Sequence, residues 1–168
     1  MNTIFGPNRR TIRLRGYDYA SSGVYFITIC TYKRLMLLGD IKEGKVELSS
    51  VGEMIQSAWE HVPMYDPHIA LDEFVVMPNH FHGIIVIVDR RRGAPRCAPS
   101  SGRSDAAMRP EKGVPLGETV QWFKTMTTND FIRGVKESGW PRFDGKLWQR
   151  NYFEHVIRDE KSLNNIRR

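Results

Sequence analysis

The chain has 168 residues, 40% of them apolar, which suffices for one core of ordinary size but leaves no comfortable room for two domains. Lys and Arg number 25 against 19 Asp and Glu, and the net charge of +6 favours a polyanionic partner. Two cysteines are too few for a disulfide framework or a thiolate zinc site, and no run approaches the roughly 18 apolar residues of a membrane span. We therefore expect a single domain over 1–168 that is soluble and cytoplasmic and has no membrane partner.

Residues 1–16 form a polar, basic segment without apolar periodicity, which predicts an arm rather than part of the core. The arginines of this arm are Arg9, Arg10, Arg13 and Arg15. They suit contacts with phosphates or insertion into a groove, and a solvated basic tail explains them equally well. We keep them as candidate DNA-binding residues.

Two strands and a helix are predicted next. The run 24–32 is rich in β-branched and aromatic residues and predicts a strand, and a short second strand is predicted at 45–48. Ser49 or Ser50 can cap a helix whose apolar residues recur at helical spacing until Pro63. A helix with one apolar face is expected to pack on a sheet.

A hairpin of two central strands is predicted in the middle of the chain. The runs 71–77 and 81–88 are apolar and are separated by Pro78, Asn79 and His80, which suit a tight turn. Their nearly continuous apolar character is expected of strands that are covered on both faces.

The second half of the chain begins with a stretch of low complexity. Residues 90–115 are rich in Arg, Gly, Pro, Ser and Ala, which predicts a mobile basic loop. A helix is predicted over 116–135 and a short strand at 147–148, while 156–157 either extend that strand or begin the next helix. Asp159 can cap a last helix, which runs to the end of the sequence without a stop signal, as if truncated. The order of elements predicts an α+β, ferredoxin-like or RRM-like sandwich, with an antiparallel-rich central sheet and helices packed on it.

A His-x-His motif opens the second strand of the predicted hairpin. Because alternate side chains of a strand share a face, His80 and His82 project together and Phe81 projects to the other side. Two imidazole nitrogens can share one divalent cation, and phosphate chemistry favours Mg²⁺ or Mn²⁺. The alternative is that the histidines satisfy backbone groups of the turn beside Asn79. A third ligand, which catalytic metal sites usually have, is not evident.

Three stretches of the chain resemble one family of transposases. The segment VVMPNHFHGIIVIV resembles the strand–turn–strand of IS200/IS605-like transposases, which are single-tyrosine enzymes of the HUH class. The likeness is closer still to the REP-associated tyrosine transposase branch. The segment that leads into the catalytic helix of that branch resembles LWQRNYFEHVIRDEKSLNNIRR, and its opening resembles RRTIRLRGYDYASSGVYFITICT. The likeness covers nearly the whole chain outside the predicted basic loop.

The resemblance implies a nuclease and strand transferase that acts on single-stranded DNA at hairpin-flanked ends, as a homodimer. In that family two histidines, which correspond to His80 and His82, and a polar side chain of the last helix hold a divalent cation on the scissile phosphate. A tyrosine of the same helix attacks and leaves a 5′-phosphotyrosine link, which conserves the bond for rejoining. Arg150, which comes shortly before that helix, is a further candidate DNA contact.

The same resemblance puts the catalytic tyrosine immediately after Arg168 and the third metal ligand about one helical turn further on. We therefore expect this chain to bind DNA and metal without cleaving. The alternative nucleophile within the chain is Tyr152, although its aromatic neighbours also suit a role in core packing. Two other functions stay open: a non-catalytic protein that recognises structured DNA or RNA, and an HUH replication initiator or relaxase, which usually carries further domains.

Overall fold

The structure is a computed structural model in which residues 16–88, 114–142 and 145–167 are described. Most of the predicted basic loop, residues 90–113, lies outside these ranges, as does the predicted arm up to residue 15. Within the described ranges, every helix is too short or too polar to cross a lipid bilayer.

The described residues form six strands and four helices. The strands are Gly23–Cys30 (β1), Gly39–Lys42 (β2), Lys45–Leu48 (β3), Ile69–Met77 (β4), His80–Ile87 (β5) and Phe153–Ile157 (β6). The helices are Ser50–Glu60 (α1), Val62–Tyr65 (α2), Leu116–Glu137 (α3) and Glu160–Ile166 (α4).

Most predicted elements are confirmed, with shifted ends. β1 ends at Cys30, because Tyr32–Arg34 forms a 3-10 turn in which Lys33 and Arg34 have φ angles of 54° and 55°. The first helix ends at Glu60, before Pro63, as predicted. Pro63 itself lies in the first turn of α2, where its missing N–H leaves no helical hydrogen bond unmade.

The end of the chain differs from its prediction. The strand predicted at 147–148 is reduced to an isolated bridge between Trp148 and Thr31. The strand that forms here instead is β6, and it pairs with β1 from Val24 to Thr28. Phe153, Val156 and Ile157 are of residue types that favour strands, and pairing with β1 puts 156–157 in a strand rather than at the start of the last helix.

A four-stranded antiparallel sheet has the order β4-β5-β1-β6. The connection from β1 to β4 carries α1 and α2, and the connection from β5 to β6 carries α3. Each crossover therefore passes over the one strand that lies between the two it joins. This is the split βαβ arrangement of ferredoxin-like folds, and it confirms the predicted α+β sandwich.

The main core lies between the sheet and the helices α1 and α3. Tyr25 and Ile27 of β1 and Phe81 of β5 point into it and are fully buried. Trp59 of α1 and Phe123 of α3 pack against Phe81, with ring centroids 4.6 Å and 5.5 Å away. Burial of side chains this large contributes about 1.5–3 kcal/mol each and fixes which residues of β5 face the helices.

The last helix, α4, is tied to both edges of the sheet. It begins directly after β6, and Arg167 at its end binds both carboxylate oxygens of Asp72 on β4, with 3.0 Å between Nε and Oδ1. β6 and β4 are the two edge strands. Ile84 and Ile157 point to the face opposite α1 and α3 and are buried although they lie outside the main core.

Gly83 is the position of β5 that leaves least room for a side chain. A Cβ atom there would lie 2.5 Å from Cζ2 of Trp59, which is fully buried and has no space to move. We expect Gly83→Ala to lower the free energy of unfolding by about 1–3 kcal/mol in chemical denaturation.

The matched control is Gly23→Ala at the start of β1, whose Cβ would lie 3.3 Å from Oη of Tyr25. A shift of a few tenths of an ångström relieves that contact, whereas the approach to the ring of Trp59 needs a larger one. The control variant should therefore be closer to the wild type in stability than Gly83→Ala. Equal stability of the wild type and Gly83→Ala would contradict the packing described for Trp59.

Candidate metal and phosphate site

The two imidazoles of the His-x-His motif lie on the face of the sheet that points away from α1 and α3. His82 is level with Thr28 of β1 and Val75 of β4, and His80 is level with Cys30 and Met77 of the same strands. The prediction that both histidines share a face, opposite to the buried Phe81, is confirmed by this register.

The rings of His80 and His82 converge. Their centroids are 4.6 Å apart and their planes are 82° apart, and both side chains are half-buried. Phe26 of β1 stacks on His82 with a centroid separation of 5.2 Å and an interplanar angle of 19°. Imidazole nitrogens bind divalent metals at about 2.0–2.1 Å, so rings this close can hold one cation together.

Each imidazole is oriented through Nδ1. The Nδ1 of His80 lies 2.7 Å from Oδ1 of Asn79, and the Nδ1 of His82 lies 2.8 Å from Oγ1 of Thr28. An amide oxygen only accepts, so the Nδ1 of His80 donates and its Nε2 keeps a lone pair. A histidine whose Nδ1 is engaged in this way is typical of metal sites, where the other nitrogen binds the ion.

Turn backbone groups beside Asn79 have other partners. The carbonyl of Asn79 accepts from the backbone N–H and from the hydroxyl of Thr31, at 3.0 Å and 2.9 Å, and the carbonyl of Pro78 accepts from the N–H of Leu38. The alternative prediction, that the histidines satisfy backbone groups of the turn, is therefore wrong for these two carbonyls. Sequence reasoning missed Thr28, because its contact with His82 joins residues 54 positions apart.

Burial keeps both imidazoles in the neutral form at pH 7. Removal from water lowers the pKa of His80 below its ordinary value of 6.5, and the positive charge of Arg34 lowers it further. Burial also lowers the pKa of His82, with a smaller contribution from His80. A neutral imidazole is the form that binds a metal ion, so the pair needs no proton release at neutral pH.

A strained turn brings basic side chains to the same end of the sheet. Lys33 and Arg34 have positive φ angles, which cost a non-glycine residue of the order of 1–3 kcal/mol, and both are exposed. The turn is held by the bonds of Thr31 and by a bond from the N–H of Tyr32 to the carbonyl of Leu147. Strain of this kind at a site with half-buried imidazoles is typical of functional positions.

The histidine pair supplies two metal ligands, and catalytic sites usually have three. In the part of the chain that the structure describes, no group of three His, Cys, Asp or Glu residues is placed to hold a metal ion. The donor set of His80 and His82 fits a divalent cation, since both side chains offer an oriented nitrogen on an open face.

Two other residues predicted for the site, Tyr152 and Arg150, are among the described residues, and their contacts are with other parts of the fold. Tyr152 packs against the main core, on the side of the sheet that faces the helices. Arg150 is exposed, and its carbonyl accepts a hydrogen bond from Nζ of Lys124 at 3.0 Å. The candidate DNA contacts in the arm lie outside the described residues; they are Arg9, Arg10, Arg13 and Arg15.

Comparison with known proteins gives a close relative. No protein-family model matches the chain. An uncharacterized protein of Haemophilus influenzae is 41% identical over 161 residues, and the match covers 92% of this chain and 82% of that protein. The two chains belong to one family.

Two solved structures share the fold of this family. The structure of a REP-associated tyrosine transposase bound to a REP hairpin has a TM-score of 0.53 at 19% identity, covering 92% of this chain and 67% of that one. A candidate transposase from Deinococcus radiodurans R1 has a TM-score of 0.50 at 15% identity, covering 92% of this chain and 91% of that one. At identities this low, the structural likeness establishes a shared fold and nothing more. The fold is one that transposases use.

The lowered pKa values of the imidazoles lead to a titration experiment. We expect both histidines to titrate below about 6.5 when their ring protons are followed by NMR. Arg34→Gln should raise the pKa of His80, because it removes a nearby positive charge, whereas Arg133→Gln on α3, on the other side of the sheet, should not. Two results would contradict these electrostatic effects: a titration midpoint of His80 at or above 6.5 in the wild type, or a midpoint that Arg34→Gln leaves unchanged.

Proposed function

We propose that this protein is a metal-dependent, site-specific transposase or endonuclease of the single-tyrosine HUH class, acting on single-stranded DNA flanked by hairpins. The observation that carries the proposal is the convergence of His80 and His82, each oriented by a hydrogen bond at Nδ1, on the face of the sheet away from α1 and α3. The shared fold with a transposase bound to a REP hairpin and the net charge of +6 support a DNA partner.

His80 and His82 would hold Mg²⁺ or Mn²⁺ through Nε2. When bound there, the cation neutralises charge that develops on a phosphodiester as it is attacked. Thr28 and Asn79 keep the two rings in the orientation that this binding needs, and Arg34 adds a positive charge beside the phosphate. The lowered pKa values keep both rings deprotonated at neutral pH, so metal affinity should fall as the medium becomes more acidic.

Cleavage in this class needs a tyrosine hydroxyl, which attacks the phosphorus while the 3′-oxygen of the preceding nucleotide leaves. The products are a 5′-phosphotyrosine link and a free 3′-hydroxyl. The resemblance assigns this tyrosine to the last helix of the fold. The ion pair between Arg167 and Asp72 ties the end of α4 to β4, the strand next to the one that carries the histidines. The same resemblance assigns a homodimer.

The proposal is tested by metal-dependent DNA binding, which needs no nucleophile. We expect isothermal titration to give one Mn²⁺ per chain in the wild type and none in the His80→Ala, His82→Ala double variant. The anisotropy of a labelled hairpin with a single-stranded flank should show tighter binding with Mn²⁺ than with EDTA, and the double variant should lose that difference.

The matched control is His61→Ala, which removes an exposed imidazole at the end of α1 and should change neither result. Undiminished Mn²⁺ binding by the double variant would overturn the metal site. If the wild type binds the hairpin equally tightly with Mn²⁺ and with EDTA, the alternative function is favoured, namely that of a non-catalytic protein that recognises structured DNA or RNA. A covalent protein–DNA adduct would show that a nucleophile is present, and mass spectrometry of the adduct would identify it.

A further inference from the structure

An aromatic side chain lies exposed beside the histidine pair. Phe153 of β6 is 47% exposed, and it is level with Thr28 of β1, the residue that holds His82. Val75, His82, Thr28 and Phe153 thus form one row across the four strands of the sheet. With neighbouring strands about 4.8 Å apart, Phe153 lies roughly 10 Å from His82.

The two ends of this row are more exposed than positions further along the same face of the sheet. Ile84 and Ile157, further along β5 and β6, are buried, whereas Val75 and Phe153 at the two ends of the row are exposed by 43% and 47%. The middle of the row holds an imidazole and a hydroxyl that bond to one another. The exposed apolar groups are therefore separated by a polar centre, unlike the contiguous apolar patch that a protein partner normally covers.

The charges around the row favour an anionic partner. Arg34 is close enough to His80 to lower its pKa, and Lys33 is its exposed neighbour in the turn. The edge strand β4 carries two carboxylates, and Arg167 offsets both of them: it is paired with Asp72 and interacts electrostatically with Glu73. A ligand that places an anionic group at the centre of the row and a flat apolar group beside it matches these features.

We propose that Phe153 is a stacking platform for an unpaired base of single-stranded DNA, next to the phosphate held at His80 and His82. The inference rests on the proposed function and adds to it the residue that holds the neighbouring base. Every base has a flat π-face, so a phenylalanine ring binds a strand through its bases without needing a particular sequence. Such a contact restrains the strand on one side of the phosphate and leaves the histidine pair free to bind it.

The experiment compares two single strands with the same number of phosphates in the presence of Mn²⁺. One is a labelled strand of twelve thymidylates, and the other is the same backbone with abasic sites in place of all bases. We expect Phe153→Ala to weaken binding of the thymidylate strand by roughly five- to a hundredfold and to leave binding of the abasic strand unchanged.

Three further variants separate stacking from general apolar contact and from an effect of truncating any exposed apolar side chain. Phe153→Leu keeps an apolar side chain without a π-face and should behave like Phe153→Ala, while Phe153→Tyr keeps the ring and should behave like the wild type. Ile132→Ala on α3 removes a side chain that is 38% exposed on another element and should change neither affinity. Thermal unfolding should show that all variants are folded, because Phe153 is not part of the main core.

Three results would overturn the role of Phe153. These are unchanged affinity of Phe153→Ala for the thymidylate strand, an equal loss on both strands, or a loss accompanied by a change from dimer to monomer in sedimentation. The last would show that the ring contacts a second copy of the chain. Failure of the proposed function has a different signature, since the wild type would then bind neither strand in an Mn²⁺-dependent way.

Discussion

Strand β5 serves two environments at once, because successive side chains of a pleated strand point to opposite faces of a sheet. Phe81 and Ile85 are fully buried beneath α1 and α3, while His80 and His82 face away from them. The strand is paired on both sides, with β1 and β4. A slip of one residue would expel Phe81 and bury both imidazoles among hydrocarbon, so the packing of the core also determines where the site lies.

The site is held by polar contacts as well as by the core. Asn79 and Thr28 bond to the two imidazoles from the turn and from the neighbouring strand. Thr31 in turn bonds the carbonyl of Asn79, and Gln149 donates to the carbonyls of Cys30 and Thr31. The end of β1, the β4–β5 turn and the segment before β6 are thus tied together. Side chains supported in this way keep a binding geometry without a ligand, which lowers the cost of ordering them when one binds.

The face that carries the histidines differs along its length. At one end Ile84 and Ile157 are buried, and at the other the strained turn adds Lys33 and Arg34. Between these ends lies the open row that includes Phe153. A nucleic-acid strand combines phosphates with flat bases. A face that carries basic side chains, two imidazoles and an exposed aromatic ring side by side therefore suits such a strand better than it suits the surface of a compact protein.

The sequence by itself determined the hairpin, the ferredoxin-like class of fold and the shared face of His80 and His82. These depend on local periodicity and on the alternation of a strand, which short stretches of sequence record. Only the tertiary structure decided that FEHVI is a strand, that Thr28 holds His82, and that Phe153 is exposed beside it. Each of these depends on which strand lies next to which, and strand pairing between distant segments is set by the packing of the whole sheet rather than by the residues of any one segment.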